Sequence, residues 1–229
     1  MIKAVLLDID NTLLDFDAYV KDSMKNGFEK YGLGTYKDSD YDTFTVINNG
    51  LWHEIEVGTL TFEELKKIRW NKIFKALGID FDGVFFEKYF REYLNESAIP
   101  VKGANELLEY LKSKGYILCA ASNGPYDQQC NRLRIGGMYE YFTHFFISEK
   151  VGFSKPAQEY FDVCFAEINR CSEICKDEVM MIGDSLSADI AGAAAFGFKT
   201  CFFNIKHKDA SDVKADFTAE YLEDIKNIL

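Results

Sequence analysis

The run Ala4-Val5-Leu6-Leu7, stopped by Asp8-Ile9-Asp10, constrains this chain more than any other stretch. Consecutive apolar residues with no polar alternation suit a strand covered on both faces, as in the middle of a parallel sheet. Open sheets of that kind place their chemistry at the carboxyl ends of the strands. Continuing the strand's period of two past Leu7 sets Asp8 and Asp10 on one face. Two carboxylates at such a tip repel each other unless a cation or a proton lies between them. A metal is therefore expected at the first strand end. Taken alone, Asp-x-Asp reads equally as a surface turn with capping aspartates, so the later segments must decide.

After Thr12 the pattern turns helical. Val20, Met24, Gly27, Phe28 and Tyr31 repeat at helical spacing, and so do Phe44, Ile47, Leu51 and Ile55. Thr61-x-x-Glu64 is a capping-box signature that opens a third helix, and Val84 to Leu94 forms a fourth. From Pro100 the pattern alternates again. Apolar strands at 116–121, 145–148, 178–182 and 200–204 are separated by helical stretches, and a final helix is expected over 219–229. Strands alternating with helices imply βαβ units. The expected fold is α/β: a Rossmann-like three-layer core of parallel sheet, residues 1–15 and 99–229, with an all-helical cap domain inserted at 16–98.

With 48% hydrophobic and 15% aromatic residues, 229 residues can bury a substantial core. A formal charge of −11 disfavours nucleic-acid polymers and anionic membranes as partners. No apolar stretch approaches the roughly 20 residues that span a bilayer, and Asp8 and Asp10 interrupt the only apolar N-terminal run. The cysteines at 119, 130, 164, 171, 175 and 201 form no Cys-x-x-Cys pair. They read as reduced thiols of a cytoplasmic protein, with zinc at Cys171 and Cys175 the alternative. His53, His144 and His207 have no partner at metal-ligand or triad spacing.

Each of four strands ends in a polar group with a definable task. Asp8 and Asp10 end the first. Ser122 ends the second, its hydroxyl able to donate to an anion, with backbone N–H groups near Asn123 and Gly124 at the helix start behind it. Lys155, just before Pro156, gives a point charge at another helix start. Asp184 ends a further strand, and Asp189 follows about one turn later. Both also suit a helix N-terminus for ordinary electrostatic reasons. Four carboxylates converging on one crevice nevertheless require a hard divalent cation, and magnesium, bound by a few carboxylates and several waters, suits them.

Leu-Asp-Ile-Asp-Asn-Thr, Ala-Ser-Asn-Gly, Ser-Lys-Pro and Gly-Asp-Ser-Leu-Ser-Ala-Asp-Ile, in that order, resemble motifs one to four of the haloacid dehalogenase-like (HAD) hydrolases. The helical insert after motif one resembles that family's first cap type. Leu51-Trp52, Gly58, Thr61, Leu65 and Arg69 more loosely resemble the cap of pyrimidine-type 5′-nucleotidases.

The resemblance implies phosphoryl transfer through an aspartyl-phosphate, with a small phosphate ester as partner and Mg2+ as cofactor. Asp8 would be the nucleophile and Asp10 the general acid and base. Ser122, Asn123 and Lys155 would hold phosphoryl oxygens. Asp8, Asp184 and the Asp10 carbonyl would hold the metal, and Asp189 would orient a water or Lys155 from behind. Asp10 favours a phosphatase over a dehalogenase, because halide leaves without a proton.

Phe16, at the hinge of the insert, is placed to touch a leaving group. Asn48, Trp52 and Arg69 are candidates to contact a nucleotide base, the insert being expected to cover the site. Arg69 lies among Phe62, Leu65, Ile73 and Ala76, so it needs an anionic partner, either substrate or a neighbouring acid such as Glu54 or Glu56. The first expectation is hydrolysis of a nucleoside 5′-monophosphate. A sugar-phosphate phosphatase, a phosphomutase, a haloacid dehalogenase and a silent binding module stand behind it. The pairs Phe85-Phe86 and Tyr89-Phe90 read as a dimer face or as core, so monomer and homodimer both remain open.

Overall fold

The structure, a computed structural model, describes residues 1–170, 172–207 and 213–229. Cys171 lies outside them, so the Cys171–Cys175 reading goes no further; Cys119, Cys130, Cys164, Cys175 and Cys201 are free thiols. The chain divides into two units, residues 16–97 and residues 1–15 with 98–229.

The first unit consists of α1 (Phe16–Tyr31), α2 (Asp38–Glu56), α3 (Phe62–Leu77) and α4 (Gly83–Asn95). Thr61 caps α3 reciprocally: its hydroxyl accepts from Glu64 N at 3.2 Å while its own N–H donates to Glu64 Oε2 at 2.9 Å. The interior is aromatic. Trp70 and Phe86 are fully buried with ring centroids 4.4 Å apart, and Phe44, Phe74 and Phe90 surround them. Phe86, Tyr89 and Phe90 point into this core, whereas Phe85 is 51% exposed.

Arg69 is buried here with its own partners. Nε donates to Glu87 Oε2 at 3.0 Å, Nη2 to Glu87 Oε1 at 2.6 Å and Nη1 to Asn48 Oδ1 at 3.0 Å. The acid is thus on α4, not Glu54 or Glu56, because α4 packs along the face of α3 that Arg69 occupies. The guanidinium also lies 4.7 Å from the Phe90 ring centroid. Glu87→Gln is expected to destabilise the protein by about 3 kcal/mol, the cost of a buried charge left without its counter-charge. Chemical denaturation measures this, and a loss near zero would contradict a desolvated pair.

The second unit holds a sheet of six strands, all paired in parallel in the order β3-β2-β1-β4-β5-β6. They are β1 (Ala4–Leu7), β2 (Ile117–Ser122), β3 (His144–Ile147), β4 (Val179–Gly183), β5 (Lys199–Phe203) and β6 (Phe217–Ala219). Its helices are α5 (Ala104–Ser113), α6 (Tyr126–Ile135), α7 (Ser148–Val151), α8 (Gln158–Ile168) and α9 (Gly192–Phe196). β1 lies between β2 and β4, and its residues are wholly buried.

The strand's alternation assigns each side chain to a layer. Val5 and Leu7 join the core under α5 with Leu107, Leu108 and Leu111, while Ala4 and Leu6 join the core under α8 with Tyr160, Phe161 and Cys164. Helices therefore cover both faces, and the fold is the three-layer Rossmann-like arrangement.

One expectation fails. Residues 219–229 are not a helix: Phe217–Ala219 forms the sheet's edge strand, and only Leu222–Asn227 turns, as 3₁₀-helix. The strand is too short to show a period. β1 stops at Leu7, as the apolar run does, and Val5, Leu7 and Ile9 share one core layer. Asn11, at φ 60°, turns the chain in the left-handed region, and Asp10 bridges to Leu14.

Candidate active site

Asp8 leaves β1 still tied to the sheet, its N–H donating to Ile182 O at 2.9 Å. Its carboxylate accepts from Thr12 Oγ1 at 3.1 Å and from Lys155 Nζ at 2.8 Å. Lys155 is 2% exposed and uses all three of its donor hydrogens. Beyond Asp8 they reach Asp189 Oδ1 at 2.7 Å and Ala121 O at 2.9 Å.

Asn123 fixes the Lys155 backbone at both ends, Nδ2 donating to Lys155 O and Oδ1 accepting from Lys155 N, each at 2.8 Å. The Asn123 side chain is thus spent on holding the lysine loop.

Asp189 lies in a π-helical turn, Leu186–Ala191, and its Oδ2 accepts from Ser185 N at 3.1 Å. Gly183 makes room for it: a Cβ at that position would stand 2.1 Å from Asp189 Oδ2. One carboxylate oxygen from each of Asp8, Asp184 and Asp189 lies within 4.8 Å of the others. Asp184 and Asp189 so come to the place expected of them, with Asp189 on Lys155.

Burial pushes the Asp8 carboxyl well above the ordinary carboxylate range. Lys155 opposes this shift, and Asp189 and Asp184 add to it. Burial disfavours the Lys155 ammonium too, but Asp189 and Asp8 outweigh it and hold the amine firmly charged. Were all three acids to give up their protons, they would outnumber the one ammonium by two negative charges. That balance and the all-oxygen donor set fit a divalent hard cation such as magnesium, which would relieve the repulsion among the acids.

Asp10 does not join this cluster, contrary to the expected convergence of four carboxylates. Its Oδ1 accepts from Arg132 Nη1 at 2.6 Å and its Oδ2 from Gln129 Nε2 at 2.7 Å. Gln129 Nε2 also donates to Ser122 Oγ at 2.7 Å, and Gly124 N donates to the same oxygen at 3.1 Å. Both lone pairs of Ser122 Oγ are thereby occupied, which leaves its proton to donate. The Gly124 N–H, expected to face an anion, serves Ser122 instead.

Gln129 and Arg132 were not legible as site residues in the sequence. The only signal was a polar pair at helical spacing, on the helix that opens behind Ser122-Asn123-Gly124.

Phe16, Asn48, Trp52 and Arg69 all belong to the helical unit. Asn48 and Arg69 bond to each other there. Phe16 lies 5.6 Å from Tyr19 and Trp52 lies 5.9 Å from Phe62, ring centroid to ring centroid, and both side chains are half-buried.

A family model described as haloacid dehalogenase-like hydrolase matches residues 2–197. The chain is 32% identical over 228 residues to the HAD-hydrolase YfnB of Bacillus subtilis (strain 168), covering 99% of this chain and 95% of YfnB. It is 33% identical over 208 residues to the pyrimidine 5′-nucleotidase PynA of Streptococcus pneumoniae, covering 90% of this chain and 85% of PynA. The crystal structure of YfnB bound to magnesium matches with a TM-score of 0.89 at 31% identity, covering 100% of this chain and 98% of that one.

Proposed function

The chain belongs to the haloacid dehalogenase-like hydrolase family, and from that starting point we propose that it is a magnesium-dependent phosphatase. Its substrate is a small phosphomonoester, a nucleoside 5′-monophosphate first. One observation carries the reading: Lys155 Nζ stands between Asp8 and Asp189, within the acidic trio that Asp184 completes, beside the end of the central strand.

Asp8 attacks phosphorus, and the bond from phosphorus to the leaving oxygen breaks. Asp10 supplies the proton that this oxygen needs. Water then attacks the aspartyl-phosphate and gives its proton to Asp10, and the bond between phosphorus and Asp8 breaks, releasing inorganic phosphate. Ser122 donates its free proton to a phosphoryl oxygen. Lys155 transfers a hydrogen bond from Asp8 to the phosphoryl group once Asp8 carries it. Asp8, Asp184 and the Asp10 carbonyl would hold magnesium, with Asp189 in reach. When bound, the ion supplies positive charge against the phosphoryl oxygens.

Asp10 separates this reading from dehalogenation, since departing halide needs no proton. The identity to PynA, whose name gives a pyrimidine nucleotide as substrate, supports the nucleotide class. Arg69, a candidate for base contact in the sequence, is committed to Glu87 within the helical unit.

The test is hydrolysis by purified protein of nucleoside 5′-monophosphates, sugar phosphates and an aryl phosphate, with magnesium and with chelator. Pyrimidine monophosphates are expected to give the highest kcat/KM. Chelation is expected to stop turnover, and added magnesium to restore it. Phosphate release that ignores chelation would contradict the metal reading.

A further inference from the structure

We propose that Arg132 is a positioning residue that aims the Asp10 carboxylate at the leaving oxygen, with Gln129 coupling that aim to the phosphate-binding hydroxyl of Ser122. This inference rests on the reading of Asp10 as general acid and base.

Arg132 is 1% exposed, and its Nη1 donates both to Asp10 Oδ1 at 2.6 Å and to Gln129 Oε1 at 2.8 Å. A guanidinium has only donors, so its contact with Gln129 Oε1 fixes which way the amide faces. The Gln129 NH₂ must then point toward Asp10 and Ser122, where it makes bonds of 2.7 Å to each. Both oxygens of Asp10 are held by donors on one helix, α6, and that helix starts at the end of the strand carrying Ser122.

Gly124 keeps the path open. A Cβ there would stand 2.8 Å from Gln129 Nε2 and would push the amide off its partners. Burying an arginine here is costly unless it is paired, and Asp10, whose side chain is 33% exposed, is the acid it meets. The exposed side of that carboxylate is free to work while its buried side is gripped. Asp10 lies beyond the end of β1, so nothing in the sheet ladder aims it. The aim comes from Arg132.

The test compares leaving groups. An alkyl phosphate needs its departing oxygen protonated, whereas p-nitrophenyl phosphate, with a stable anionic leaving group, needs this far less. In Arg132→Met, kcat/KM on an alkyl phosphate, which reports the steps up to departure of the leaving group, is expected to fall about 30-fold, part of the 10²–10⁴ that general acid catalysis supplies. On p-nitrophenyl phosphate kcat/KM is expected to stay within about threefold, while kcat on both substrates also reflects the shared second step, in which Asp10 takes the proton of water. Arg132→Lys keeps the charge and is expected to recover part of the loss, and it serves as the probe should the methionine variant not fold. Asp10→Asn, alone and combined with Arg132→Met, completes the set. The double variant is expected to be no slower on alkyl phosphate than Asp10→Asn alone, because both act through one group.

Equal losses in kcat/KM on both substrates, or additive losses in the double variant, would overturn the role of Arg132 while Asp10→Asn still discriminates between leaving groups. An Asp10→Asn enzyme that does not discriminate would instead overturn the acid–base reading of Asp10, and this inference with it.

Discussion

Replacing Asp8 with asparagine is expected to lower kcat on every phosphate ester by about 10⁴-fold or more, the scale seen when a covalent nucleophile is removed. Asparagine keeps the shape of the site, and its one oxygen can still accept from Lys155, which reaches Asp8 at 2.8 Å, while its NH₂ replaces the oxygen that accepts from Thr12. It cannot present a carboxylate oxygen to phosphorus. The variant also has one negative charge fewer in the trio, so magnesium is expected to bind more weakly. Substrate binding should nonetheless survive at high magnesium, because Ser122 and Lys155 are untouched. Steady-state kinetics on p-nitrophenyl phosphate checks this, and turnover close to that of the parent enzyme would remove Asp8 from the chemistry.

Lys155→Met is the second large effect, with an expected loss in kcat of about 10³-fold, the upper end for removing one preorganised stabiliser of transition-state charge. Lys155 serves two purposes at once, so the variant should fail in two ways. It loses the positive charge that would meet the phosphoryl group, and it leaves Asp8 and Asp189 without the ammonium that lies 2.8 Å and 2.7 Å from them.

The second failure is visible without substrate. Asp8 already has its carboxyl raised by burial, with Lys155 opposing. Above the ordinary carboxylate range the folded chain therefore retains a proton that the unfolded chain gives up, and stability falls as pH rises through the raised value. Removing Lys155 steepens that fall, so the gap in Tm between variant and parent, both in chelator, is expected to widen with pH. A gap that is constant with pH would show that the ammonium does not compensate the acids. Added magnesium should raise the Tm of the parent by binding the folded state only.

How much of this the sequence shows depends on where each partner lies. Asp8, Ser122 and Asp184 are readable because each closes an apolar run whose strand character is plain, and in a parallel sheet those ends share one edge. Lys155 and Asp189 follow from small local signals, a Lys-Pro step and an acid one turn into a helix.

Other positions have meaning only through contacts far along the chain. Arg69 announces that it needs an acid, yet Glu87 is recognisable as that acid only once α3 and α4 are packed. Arg132 and Gln129 look like ordinary solvated helix residues until Asp10 turns back toward them. The turn at Asn11, directly after Asp10, rests on a left-handed residue that no hydrophobic period reveals. β6 is too short for pattern to identify, and its place is fixed by pairing with β5.

The covalent state of Asp8 during turnover tests the account most directly. Protein mixed with substrate and magnesium, quenched in acid within the first turnover and reduced with borohydride, should carry homoserine at position 8 in its peptide mass spectrum, since borohydride reduces an aspartyl-phosphate and not a free carboxylate. An enzyme that releases phosphate at full rate while Asp8 stays unmodified at every quench time, with the mark on another residue, would contradict it.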